Sequence, residues 1–315
     1  MELYNYRKIN NKVKKLKIVK PPNLKKRNFY RNSVLLKFFL QLKELIKFPL
    51  TLFYEYVFGF SNLIATFKLR NIYKGKKAII LGSGPSLNFI STKQLNLFKK
   101  SGNHIYALNY WNENTHHNNV VPNFLCFSDP NIFNRSKDNF FFKKKDNFLK
   151  KYLLKTKINL LVPIRLYKSL ENEKINNKKI SFVDTELRFW SSFTNPLLPR
   201  GYISSSFMKA LSIALWFGYS KIYIIGFDNT YHRDIFCSED NKIYNYEHHT
   251  NKKYNYLQDY SEIYEDIADL LNEISQIYYD IRKFKKYNQI INLDPYSTNT
   301  NFKKKSILKY KLNKL

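Results

Sequence analysis

The chain has 315 residues, 44% of them hydrophobic and 17% aromatic, so it can bury at least one full core, and with 8 Gly and 10 Pro it is no low-complexity chain. Its 54 Lys and Arg against 24 Asp and Glu give a formal charge of +30, which reads either as an anionic partner, a phosphate-bearing substrate or an anionic membrane face, or as biased codon usage that enriches Lys, Asn, Ile, Tyr and Phe together. Nucleic acid is set aside, because no motif for it occurs and Arg, the reader of base edges, is scarce beside Lys; two cysteines, Cys126 and Cys237, exclude a disulfide framework and a four-cysteine zinc site.

Residues 1–32 are basic and polar and are expected to be a mobile tail; no apolar secretory core follows the basic start, so a cytoplasmic location is expected. Residues 33–72 read as an amphipathic helical extension. Lys37, Lys43, Glu44, Lys47 and Glu55 interrupt its apolar run, against the roughly 20 uncharged residues of a membrane span. Pro49 predicts a division into two helices, which either pad the core or lie in a bilayer interface at the inner face of the cell membrane.

From residue 73 to 302 strand and helix signals alternate. AIIL at 78–81, HIYALNYW from 104, NFLCFSDP from 123, INLLVPI from 158 and KIYIIGFD from 221 read as strands, and SSSFMKALSIALWFGY from 204 as a helix stopped by Gly218. Residues 140–155 are expected to form a solvated helix or loop near an edge. A long helix is predicted over 257–286, with Asp259 at its N-cap, followed by a strand at IINL. This alternation predicts an α/β fold with a doubly wound, mostly parallel, Rossmann-like sheet and a basic tail at 303–315.

Ligands of such sheets lie beyond the carboxyl ends of the strands. Gly82, Ser83, Gly84, Pro85 and Ser86 form a small-residue turn there, which is either a phosphate site lined by backbone amides or a turn required by the fold alone. It is neither a Walker A loop nor a complete GxGxxG. Asn109, Asp129 and Asp228 sit at other predicted strand ends, and the two aspartates could hold a divalent ion or a ribose. His232, His248 and His249 fall in loops where imidazole could act as a base, whereas His104, His116 and His117 read as surface residues. Arg200 could pair with a donor phosphate or carboxylate, or be a surface arginine.

In order, GSGPSL, ALNYW, FSDPNIF and SSFMKALSIALWFGYSKIYIIGFD resemble the blocks of bacterial glycosyltransferase family 42, the sialyltransferases. They also resemble the broader 6-hydroxymethylpterin diphosphokinase-like proteins, among them flagellin nonulosonate transferases and surface-polysaccharide proteins. The resemblance covers roughly residues 76–300 and implies a single-domain, GT-A-like variant of the fold. It implies nucleotide contacts at Gly82, Ser83, Gly84, Pro85, Ser86, Asn109 and Asp129, and at Ser205 or Ser206. It implies further that Tyr231 steadies the departing phosphate, that a histidine deprotonates the acceptor and that no metal is required. The sequence departs from the pattern: Ser83 and Asp129 stand where Asn is expected, Asn229-Thr230 replaces Phe-Tyr, and no histidine precedes the long helix in register.

The function expected is therefore a glycosyltransferase of lipopolysaccharide or capsule synthesis, moving a sialic-acid-like ulosonic acid from a CMP-sugar to a glycan or glycolipid. The alternatives are a diphosphokinase acting on a pterin-like alcohol, with Mg2+ on Asp129 and Asp228, and a non-catalytic scaffold at a membrane surface.

Overall fold

The computed structural model describes residues 17–19, 34–113, 117, 119–128, 140–186, 192–201, 205–227, 235–237, 243–246, 256–259, 267–294, 297, 300–305 and 307. In chain order the elements are β1 (Lys17–Val19), α1 (Val34–Phe67), β2 (Lys77–Leu81), α2 (Thr92–Lys100), β3 (His104–Leu108), β4 (Phe124–Cys126) and α3 (Phe140–Lys155). There follow β5 (Asn159–Pro163), α4 (Ile164–Asn172), β6 (Lys179–Phe182), α5 (Ser206–Trp216), β7 (Lys221–Ile225), β8 (Ile235–Cys237) and β9 (Ile243–Tyr246). The last are β10 (Tyr256–Asp259), α6 (Ile267–Arg282), β11 (Ile290–Asn292) and β12 (Lys303–Lys304).

Eight strands form one wholly parallel sheet in the order β12-β11-β7-β2-β3-β4-β5-β6. The chain starts at β2, walks outward to β6, then returns to pair β7 on the other side of β2. That reversal makes a Rossmann-like α/β sheet with its switch point at the end of β2. Continuous apolar runs such as AIIL are required because both faces are covered. Ile79, Leu81, Ile105, Leu125 and Leu160 point to a core that includes Leu95 and Phe98 of α2 and Leu149 and Leu153 of α3. Ala78, Ile80, Tyr106, Phe124 and Leu161 point to the opposite core, filled by α5. α5 is apolar on nearly every side and buried from Phe207 to Trp216, as a helix wedged against a sheet must be.

Several expectations change. α1 is one helix of 34 residues running through Pro49, not two. The proline removes one backbone donor, while Leu52, Glu55, Leu63 and Thr66, spaced on one face, bury that helix against the domain. Lys17–Val19, in the presumed mobile tail, pairs with Tyr256–Gln258. Asp259 ends a strand paired with β9 and is not a helix N-cap; the helix begins at Ile267. Residues 140–155 form α3, with Leu149 and Leu153 in the core, and Lys303–Lys304 extend the sheet beside β11. KISF at 179–182, which carries no strong strand signal, is the edge strand β6.

α1 seals that edge. An exposed parallel edge would leave unpaired N–H groups. Here Ser181 N–H donates to Thr66 Oγ1 at 3.0 Å, and Asp184 and Thr185 N–H donate to the Glu55 carboxylate at 3.1 and 3.3 Å. Val183 N–H donates to the carbonyl of Pro196 at 2.9 Å.

Candidate functional site at the carboxyl ends of the strands

The small-residue turn after β2 is placed at the switch point, and its glycines meet the end of β7. A Cβ on Gly82 would lie 2.1 Å from the carbonyl oxygen of Gly226, and one on Gly226 would lie 2.6 Å from that of Gly82. Gly226 also has φ +76°, the left-handed region that glycine tolerates. Two of the amides expected to be free are engaged: Gly82 N–H donates to Ile225 O and Gly84 N–H to Gly226 O, each at 2.8 Å. Pro85 has no N–H. Ser86 is buried, and its hydroxyl accepts from Gly226 N–H at 2.9 Å. Gly82, Gly84 and Ser86 thus join β2 to β7, while Ser83 is exposed at the tip of the turn. The sequence shows the small residues but not this use of them, because the partner, Gly226, is 144 positions away from Gly82.

Next to the turn, at the ends of β3 and β4, the structure brings three polar side chains together. Asn109 has φ +40°, an uncommon value that asparagine reaches more readily than most residues. Its N–H donates to Cys126 O at 2.9 Å, which fixes the backbone and aims the side-chain amide at α5. Ser206 Oγ lies 3.1 Å from Asn109 Nδ2 and 3.2 Å from Oδ1, and 2.6 Å from Ser128 Oγ. Asn109 and Ser206, both expected, therefore form one cluster, and Ser128, missed in the sequence, completes it. The signal was the position of Ser128 directly before Asp129.

Ser205 is the N-cap of α5, and its side chain caps no backbone amide. Without that cap, the first-turn N–H groups and the positive end of the helix dipole favour an anion. The start of α5 is thus a second group of backbone amides at this end of the sheet, beside the glycine turn. Phe207 and Phe227 stack at 3.7 Å between ring centres, joining the start of α5 to the end of β7.

Behind this end of α5 lies a buried ionic cluster. Asp184, fully buried, pairs with Lys209 at 2.8 Å, with Arg200 at 2.5 Å and with Arg165. Arg200 is therefore not a surface arginine: it is buried and committed to Asp184. Burial, with the neighbouring Arg200 charge, pushes Lys209 down to about 8, while Asp184 opposes the shift. Burial also raises Glu55, whose carboxylate additionally accepts from Thr185 Oγ1 at 2.8 Å. Three cations thus converge on Asp184, and one of them, Lys209, lies one turn inside α5.

Of two histidines read as surface residues, one is buried and the other half-buried. His117 is buried, stacked parallel to Trp111, with Nδ1 3.2 Å from Thr92 Oγ1. His104 lies among Tyr73, Phe124 and Tyr219, with Nδ1 2.5 Å from Tyr219 Oη. Cys126 is buried, and its thiol is pushed up to about 12 by burial. Asp129, Asp228, Tyr231, His232, His248, His249 and His116 lie outside the described residues. Among the described residues, no group of three His, Cys, Asp or Glu side chains could hold a metal ion.

The model of one family, 6-hydroxymethylpterin diphosphokinase MptE-like, matches residues 59–234. No curated protein matches the chain. Among solved structures, the MAf glycosyltransferase from Magnetospirillum magneticum AMB-1 is similar at 11% identity with a TM-score of 0.45. The match covers 78% of this chain and 38% of that one, so the chain spans well under half of that protein's length.

Proposed function

Because the chain belongs to the MptE-like family, we propose that it is a nucleotide-dependent transferase, and that it moves a sugar from a nucleotide-sugar to a surface-glycan acceptor. The single observation that carries this reading is the Asn109–Ser128–Ser206 cluster beside the start of α5, where the Ser205 side chain caps no amide. Asn109 and the two hydroxyls offer donors and acceptors for a base or ribose. The first-turn amides of α5 offer donors to the phosphate. That is the pattern a leaving nucleotide needs. As the sugar–phosphate bond breaks, negative charge grows on the phosphate oxygen, and fixed N–H donors stabilise it without reorganising. The acceptor hydroxyl then needs a base, for which the sequence offers His232, His248 and His249, and Tyr231 and Ser83 are the candidates for contact with the donor phosphate. A CMP-linked ulosonic acid remains the donor we favour.

The family's name supports a second reading, diphosphate transfer from ATP to a pterin-like alcohol. It would rest on Asp129 and Asp228 as ligands for Mg2+. One titration series separates the readings and tests both: CMP, CDP, UDP, GDP and ATP, each with and without Mg2+. A cytidine nucleotide that binds without Mg2+, at least tenfold more weakly after Asn109→Ala or Ser206→Ala, is the expected result. ATP binding that vanishes on chelation favours the diphosphokinase. Binding of no nucleotide, or binding indifferent to both substitutions, overturns the site.

A further inference from the structure

We propose that the outward face of α1 is a docking surface for an anionic bilayer, on which the helix lies without crossing. The argument starts from two stripes on one helix. Leu52, Glu55, Leu63 and Thr66 face the domain. Leu50, Phe53, Tyr54, Val57 and Phe58 recur at spacings of three and four, so they form a continuous stripe on the opposite side. Phe53 is 67% exposed, Phe58 57% and the flanking Phe60 59%. A helix in water has no reason to present aromatic and aliphatic side chains on the face turned away from its core.

Charge selects the occupant. Lys168 of α4 sits over this stripe, its ammonium 4.4 Å from the Phe58 ring centre and 5.9 Å from that of Tyr54. Its neighbour on α4, Arg165, is partly exposed as well, and the same helix as the stripe carries Lys43 and Lys47 in the sequence just before it. The acid within the stripe's length, Glu55, is on the buried side and bound to Asp184 and Thr185. Apolar rings bordered by cations with long stems suit the boundary between acyl chains and anionic headgroups. A second copy of this chain would bring two molecules of formal charge +30 together across the same rings, which opposes a dimer. The inner face stays fixed to β6 through Thr66 and Glu55, and no helix among the described residues is long and apolar enough to cross a membrane. Docking through an amphipathic face is the remaining geometry. It stands independently of the transfer reaction.

Basic chains adsorb to acidic vesicles through charge alone, so the test must read insertion. The full chain is floated with vesicles of phosphatidylcholine, alone or with about a third phosphatidylglycerol. Phe53→Trp is then monitored for quenching by lipids brominated on the acyl chain. Expected are flotation with the anionic vesicles, a blue shift and quenching of the introduced indole, and at least a tenfold loss of partitioning in Phe53→Ser/Phe58→Ser. Lys168→Glu weakens binding in the same direction. These positions are exposed, so the melting temperature and nucleotide affinity are expected to stay unchanged. The proposal is overturned by an Phe53→Trp fluorescence that the brominated lipids leave unquenched, by partitioning that survives the double substitution, or by light scattering showing a dimer that the double substitution dissociates.

Discussion

At the scale of single residues, the turn after β2 shows that a glycine can be required by a backbone and not by a ligand. Gly82 and Gly226 touch through their main chains at the centre of the sheet. Gly82→Ala must force β2 and β7 apart and is expected to lower stability by about 2–3 kcal/mol. Gly75→Ala, at a φ of +88° with nothing within 4 Å of its Cβ, meets only backbone strain, about 1 kcal/mol. Urea denaturation of both variants checks the order; equal losses would mean that the contact relaxes freely. His104 gives a second residue-scale expectation. Burial, with Lys76 and Lys99 adding, holds the imidazole at about 4, below its ordinary 6.5. A depressed folded value means that the stabilising contribution is whole above pH 6.5 and is lost as pH falls toward 4. Discounted for its partial exposure, this should make the protein about 1 kcal/mol less stable at pH 5 than at pH 7, beyond the loss shown by His104→Gln. Equal pH dependence in the two proteins would remove His104 as the cause.

At the scale of elements, α1 is the edge strand's missing neighbour. It makes no ladder with β6, yet two of its side chains, Thr66 and Glu55, take three of the backbone donors that such a ladder would use. Glu55 was legible only as a charge interrupting an apolar run. A partner 129 residues later in the chain, Asp184, was not inferable from spacing. Removing the carboxylate leaves Asp184 N–H, Thr185 N–H and the Thr185 hydroxyl without this acceptor in a buried place. Glu55→Ala should therefore cost about 2–4 kcal/mol. It should also raise amide exchange at Asp184 and Thr185 more than in β2 or β3, which hydrogen-exchange mass spectrometry reads directly. Uniform exchange across the sheet would mean that α1 stabilises the domain generally and not through this edge.

At the scale of the whole molecule, the alternation of apolar runs with helical periods was enough to reveal a parallel α/β sheet, because a strand buried on both faces leaves an uninterrupted apolar segment such as AIIL. β6 and β10 escaped because KISF and YLQD are short and mixed, and β10 lies where an apolar helical period had been extended too far. The cluster at the strand ends was half legible: Asn109 and Ser206 follow clear strand and helix signals, while Ser128 and the ion cluster are joined only by folding. Charge, in contrast, is a property of the entire sequence. With a formal +30, like-charge repulsion opposes compaction. Added salt screens it, the Debye length falling from about 10 Å at 0.1 M to about 3 Å at 1 M. The buried Asp184 pairs are sheltered from that screening, so little attraction is lost in return. The melting temperature should rise by several degrees between dilute buffer and 1 M NaCl. Vesicle binding should fall over the same range, since it depends on the unscreened charge. Opposite responses of folding and membrane docking to one variable are what a self-repelling basic domain requires; a melting temperature that falls with salt would mean that attractive surface pairs outweigh the net charge.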